Sequence, residues 1–197
     1  MSEAHTVWQG DHRQDATTFS DKELLAVIVG EPAADEYRGA LKPMFENPGP
    51  AHWKCLVARE LVKRWLSEDL LRECALSAPG AVRDYLCVHF GGQQHESFVA
   101  LFLDSQNRLI AIEELFRGTL THTSVYPREV VKAALRYNAA ALILAHNHPS
   151  GLPEPSNADE LLTRNLKQAL ALVEVKLLDH FIVAGAAALS LAERGLL

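Results

Sequence analysis

A layered fold of strands and helices, α/β or α+β, is what this sequence predicts, and three observations predict it. Two strand-like runs, "ESFVALFLD" and "RLIAIEELFRG", bracket the polar "SQN", the pattern of a hairpin. "PREVVKAALRYNA" has Pro127 in its first turn and an apolar stripe behind it, and it leads into the short apolar run "AALILAH". Residues 156–173 return to helical spacing and are followed by "VKLLDHFIVAG", a last long strand. Strands that alternate with helices around one core bury their apolar faces against each other as layers.

Taken in order, residues 1–75 read as a small helical N-terminal region and residues 76–197 as the layered domain. "SDKELLAVIVG" carries Ser20 as N-cap, Glu23 three later and Gly30 as its stop, the marks of a capped helix. "EPAADEYRGALKPMFENPGP" is rich in breakers and shows little regular pattern. "AHWKCLVARELVKRWL" is helical, with Trp53, Leu56, Val57, Leu61 and Trp65 at helical spacing, and its aromatics are expected to face a core. "AALILAH" has the composition of a helix end too, but its length and the loop after it favour a strand.

The 197 residues carry a net charge of −6, so bulk electrostatics give no support to nucleic-acid binding. No apolar run approaches the roughly 20 residues of a membrane span. "MSEAHTVWQGDHRQD" has no signal-peptide core, and the cytoplasm is the expected compartment. Cys55, Cys74 and Cys87 are odd in number, widely spaced and without a C-x-x-C pair, so they read as small buried hydrophobes.

The chemistry concentrates in "LAHNHPSGLPEPSNAD", residues 144–159. On a strand, residues two apart share a face, so His146 and His148 emerge together at a strand end, where open α/β sheets carry ligands. Two imidazoles with Asp159 from the next helix make a three-ligand tetrahedral set that leaves a fourth position for water, the pattern of catalytic zinc. Zinc brings bound water to a pKa near 7. The same residues also fit a plain helix start, with Ser156 capping and Asp159 complementing the dipole.

His146-x-His148-x7-Ser156-x2-Asp159 matches the JAMM motif, and the stretch resembles the JAB/MPN superfamily, within it the bacterial RadC-like branch. "VALFLDSQNRLIAIEELFRGT", "VYPREVVKAALRYNAAALILAHNHPSG", "LLDHFIV" and "AERGLL" look like that branch in its order, over roughly residues 76–197. The resemblance implies an α/β fold of the MPN/JAMM, cytidine-deaminase-like kind: a mixed sheet flanked by helices. It implies one Zn2+ per chain on His146, His148 and Asp159, with Ser156 as a donor to the oxyanion. It implies Glu96, at the start of its strand, as general base. The activity implied is metalloprotease-like hydrolysis of peptide or isopeptide bonds in a peptide or protein substrate. Asn147 stands between the histidines, where many deubiquitinating members have Ser or Thr and the RadC-like branch has Asn; ubiquitin is not implied.

Other acids fit lesser roles: Glu129 complements a helix start, and the pair Glu113 and Glu114 includes a solvated strand face. Asp179 and His180, inside an apolar strand, read as structural or as supports to the ligands. His95 is expected on the face opposite Glu96, and His89 and His122 at the surface or in loops. RadC-like proteins often carry a helix-hairpin-helix before the JAMM domain, and "NPGPAHWKCLVARELVKRW" keeps only a degenerate form of it. Lys54, Arg59, Lys63 and Arg64 give residues 50–66 some positive charge. The alternative function is therefore a DNA-associated one in repair or mobile-element biology, a nuclease or a non-catalytic binder.

Overall fold

The expected hairpin forms: β1 (Ser97–Leu103) and β2 (Leu109–Arg117) pair antiparallel. Its turn is closed by Asp104, whose carboxylate accepts the N–H groups of Gln106 and Arg108, while Asn107 takes the left-handed conformation at φ 59°. The computed structural model describes residues 16–46, 49–72, 79–118 and 125–197. Cys74 and His122 lie outside the described residues. Among the described residues no helix is long and apolar enough to cross a membrane.

By its internal contacts the chain divides into two units, Met1–Glu60 and Leu61–Leu197, with the division inside one long helix. In the first unit, α1 (Asp21–Val29) starts with the expected box: Glu23 N–H donates to Ser20 Oγ, and Ser20 N–H donates to the Glu23 carboxylate. The breaker-rich stretch contains two short helices, α2 (Glu31–Ala34) and α3 (Lys42–Glu46). Leu25, Ala34 and Cys55 are the buried centre here, and buried His52 bonds the Ala33 carbonyl at 2.9 Å.

The long helix α4 (Trp53–Arg72) corrects one expectation. Trp53, Leu56, Val57, Leu61 and Trp65 do not face a core; Trp53 is 58% exposed and Trp65 62%. The residues turned inward are Cys55, Leu66 and Leu70, on another stripe. Apolar residues lie on more than one side of this helix, so the 3.6-residue period does not select a face.

In the second unit the sheet order is β2-β1-β3-β4-β5, with β3 (Ala141–Asn147), β4 (Lys176–Ala184) and β5 (Ala187–Ser190). β3 runs antiparallel to β1 and parallel to β4. Between β3 and β4 lies α7 (Asn157–Ala171), the crossover that a parallel pair needs. α5 (Pro79–Phe90) covers one face of the sheet through Val82, Leu86 and Phe90. α6 (Pro127–Arg136) and α7 cover the other through Val130, Ala134, Leu166 and Leu170. β1 and β3 are buried at every residue, which is why "ALILA" reads as a continuous apolar run and not as an alternation.

One irregularity positions the site. The β3–β4 register slips between Leu142 and Ile143, so β4 carries one extra residue near Leu178. Leu177 packs on the α6–α7 side with Leu142 and Leu144. Without the bulge Asp179 would follow it onto that side; with it, His180 does, beside Leu144 and next to His146.

Candidate metal centre

His146 and His148 leave the end of β3 on one face, as alternation requires, with ring centroids 4.9 Å apart. α7 brings the third group. Ser156 caps it by accepting the Asp159 N–H at 3.2 Å, while the Ser156 N–H and hydroxyl both donate to Asp159 Oδ2, at 2.8 and 2.6 Å. The capping box fixes this carboxylate and leaves Oδ1 facing His146 Nε2 at 3.2 Å. The helix-start geometry of Ser156-x2-Asp159 is thus compatible with a ligand role for Asp159.

Behind the ligands, the hydrogen-bond network assigns the tautomers. Thr163 donates its hydroxyl to the Asp159 carbonyl one turn back, at 2.6 Å. Its oxygen therefore accepts from His180 Nδ1, also at 2.6 Å. His180 is fully buried, and that burial pushes its pKa well below the usual value, so the ring is neutral. With Nδ1 protonated, His180 Nε2 is an acceptor, and it takes the proton of His146 Nδ1 at 2.9 Å. In the neutral ring, His146 Nε2 then carries a lone pair. Neutral His148 reaches the same state, with Nδ1 donating to the Leu152 carbonyl at 2.8 Å. Phe98 walls the pair, stacked on His146 and edge-on to His180.

The two Nε2 atoms stand 3.0 Å apart, and His148 Nε2 lies 3.6 Å from Asp159 Oδ2. Ligands about 2.0–2.1 Å from a tetrahedral ion are separated by roughly 3.3 Å, so the donor set fits a small four-coordinate cation. The three side chains keep 9%, 15% and 16% exposure, which opens the group to solvent on one side. Among the described residues, this is the group of His, Cys, Asp and Glu that can hold a metal ion.

Glu96 lies just before β1, two residues ahead of Phe98. It is half-buried, and its negative charge is among those that raise the His148 pKa. His95 Nδ1 lies 3.4 Å from an Arg117 guanidinium nitrogen. Glu113 pairs with Arg136, and Glu129 sits in the first turn of α6 with Lys132 2.8 Å away. Asp179 is structural: it accepts from Ser190 Oγ and from the N–H groups of His180 and Ala192, tying the C-terminal segment to β4. His89 lies in the last turn of α5, half-buried. Thr163 is the residue that sequence reasoning missed; its only signal is its place four after Asp159.

These groups make two expected results. His180→Ala removes the acceptor that orients His146, and about 10–100-fold of metal affinity is expected to go with it. Competition against a chromophoric chelator measures this, and native affinity in the variant would break the relay.

The second concerns pH. The hydrogen bond that His148 donates to the Asp159 carboxylate raises the His148 pKa above its ordinary 6.5, with smaller contributions from the Leu152 carbonyl and the Asp159 and Glu96 charges, against burial. Burial pushes Asp159 up, but hydrogen bonds from His146 and His148 overcome it and hold the carboxyl well below its usual range. A metal ion must displace the His148 proton, so affinity is expected to rise with pH and level off above the raised pKa. In the metal-free protein the sign is opposite: the contribution of His148 to stability is complete below its unfolded-state pKa and is lost as pH rises through the folded one. Chelator competition and denaturant unfolding over about pH 5.5–8.5 check both slopes.

A five-stranded mixed sheet between helices, with H-x-H at a strand end and S-x-x-D opening the next helix, defines a JAB-type α/β domain. The chain belongs to the RadC family: the model of the RadC-like JAB domain matches residues 76–196. It is 51% identical to a UPF0758 protein of Herminiimonas arsenicoxydans, over 93% of this chain and 92% of that one. A UPF0758 protein of Polaromonas is 52% identical over 91% and 90%. One from Dechloromonas aromatica is 63% identical over 70% of this chain and 62% of its own.

Proposed function

We propose that this protein is a zinc-dependent hydrolase of amide bonds, peptide or isopeptide, with one zinc per chain on His146, His148 and Asp159. The observation that carries the reading is the donor set itself. Two imidazole lone pairs and a carboxylate oxygen converge within 4.8 Å, each fixed from behind by a hydrogen bond to Leu152, His180 or Ser156. Two nitrogens, one oxygen and an open side is the composition of hydrolytic zinc sites. When bound, zinc supplies a Lewis acid and a coordinated water that ionises near pH 7.

The protein's own residues do the rest. Glu96 takes the proton of the attacking water and hands it to the leaving amine. Ser156 donates to the scissile carbonyl oxygen as charge develops there. In the structure that hydroxyl is exposed and donates to Asp159 Oδ2. Turning it to substrate leaves the carboxylate held by the Ser156 N–H. The substrate is a peptide or protein chain.

The test is a panel of peptides and isopeptide-linked peptides incubated with zinc-loaded protein. Cleavage that stops with chelator and returns with zinc is expected. Protein that holds its zinc and cleaves no amide across the panel would overturn the reading.

A further inference from the structure

We infer that Asn147 is a positioning residue for Glu96, splicing the backbone on both sides of that residue to the strand that bears the two histidines. The inference rests on the hydrolase reading for its purpose, but its geometry stands apart from it.

The β1–β3 ladder ends at the pair Phe98–His146, so residues 95–97 continue past the last rung on that side. Backbone groups beyond a ladder either find partners or fray. Here the Asn147 side chain supplies them. Its Oδ1 accepts the Ser97 N–H at 2.7 Å, and its Nδ2 donates to the His95 carbonyl at 2.9 Å. From the β2 side, the Gly118 N–H donates to the Glu96 carbonyl at 2.8 Å. Three peptide groups around Glu96 are therefore held, and Asn147 itself is 3% exposed.

The chemistry asks for this residue type. The splice needs an acceptor and a donor on one short planar group. Asp has no donor when ionised, Ser and Thr are too short to span both peptides, and Gln is one methylene longer. The residue's place between two ligands matters equally. His146 and His148 project from one side of the β3 end, and Asn147, between them, reaches sideways to the neighbouring chain. One strand end thereby sets the metal ligands and the segment bearing the base in a common frame. A displacement of about 1 Å in a reacting group can cost on the order of 100-fold in rate.

The test uses the full chain, native, Asn147→Ala and Asn147→Asp, with carboxyl-13C glutamate. E96Q assigns the Glu96 signal. In metal-free protein, amide exchange at Ser97 is expected to quicken roughly tenfold or more in Asn147→Ala and to stay slow in Asn147→Asp, which keeps the acceptor. In Co2+-loaded protein the paramagnetic shift of the Glu96 carboxyl carbon is expected to change by roughly a third or more in both variants, while Co2+ affinity stays within about threefold. A loss of general structural integrity would not move one carboxylate relative to the metal while leaving metal affinity in place.

A Glu96 shift equal to native in the variants overturns the inference. So does native Ser97 exchange in Asn147→Ala, a result that needs no metal. Should Asn147→Ala fail to fold, the near-isosteric Asn147→Asp decides through the Glu96 shift. If the native chain shows the expected shift and exchange but hydrolyses nothing, the hydrolase reading fails and the splice stands.

Discussion

Replacing His146 and His148 together by alanine is expected to leave a folded protein that retains less than roughly a tenth of a zinc per chain, against about one in the native protein. Each imidazole supplies a nitrogen that no neighbour can replace, and Asp159 alone would hold the ion only as an exposed carboxylate would. Elemental analysis of protein purified without added metal measures the difference. Thermal unfolding gives a second readout: at free zinc 1,000-fold above Kd the native chain gains about 4 kcal/mol, and the double variant gains none. The two single variants are expected to differ without metal. His146→Ala leaves the buried Nε2 of His180 without its donor, a cost of about 1–3 kcal/mol. His148→Ala loses its bond to the Leu152 carbonyl, at an exposed loop, and its contact with Asp159 Oδ2, but leaves no buried nitrogen without a partner. If native protein and double variant alike carry no zinc, even after incubation with it, the motif is inherited scaffolding and the donor set has no occupant.

That centre was legible in the sequence because its parts are local. The two-residue period of a strand puts His146 and His148 on one side, and a three-residue capping spacing puts Ser156 over Asp159. The hairpin, α6 and α7 were legible for the same reason: turn chemistry, Pro at a first turn, and apolar stripes act within a few residues. What was not legible depends on pairing at a distance. His180 meets His146 because β4 has a bulge near Leu178, and no feature of "VKLLDHFIVAG" announces it. The bonds of Asn147 to His95 and Ser97 exist only once β1 and β3 are in register, 50 residues apart in the case of Ser97. The face of α4 was misread because the helix is apolar on more than one side, so only its neighbours could decide which side is covered. The short helices α2 and α3 were hidden in a stretch rich in breakers.

Glu96→Gln separates the metal from the chemistry. The substitution keeps the shape of the side chain and leaves the Glu96 carbonyl on Gly118 and the Asn147 bonds to its neighbours in place. It removes the one property that a base requires, a lone pair that can take and return a proton. On a substrate that the zinc-loaded native protein cleaves, kcat is therefore expected to fall by about 10²–10⁴-fold, with KM little changed. Zinc stoichiometry is expected to stay native, since no ligand is lost. The raised pKa of His148 is expected to come down slightly, because the Glu96 charge is one of the smaller contributions that hold it up. A slow variant that keeps its zinc assigns the proton transfer to Glu96. A variant as fast as native moves the base elsewhere, and the Ser156 hydroxyl, a donor to Asp159 in the structure, is too weak a base near pH 7 to take its place. The proton would then have to pass through solvent or through the substrate itself, and the same kcat measured in deuterated buffer would carry the signature of that route.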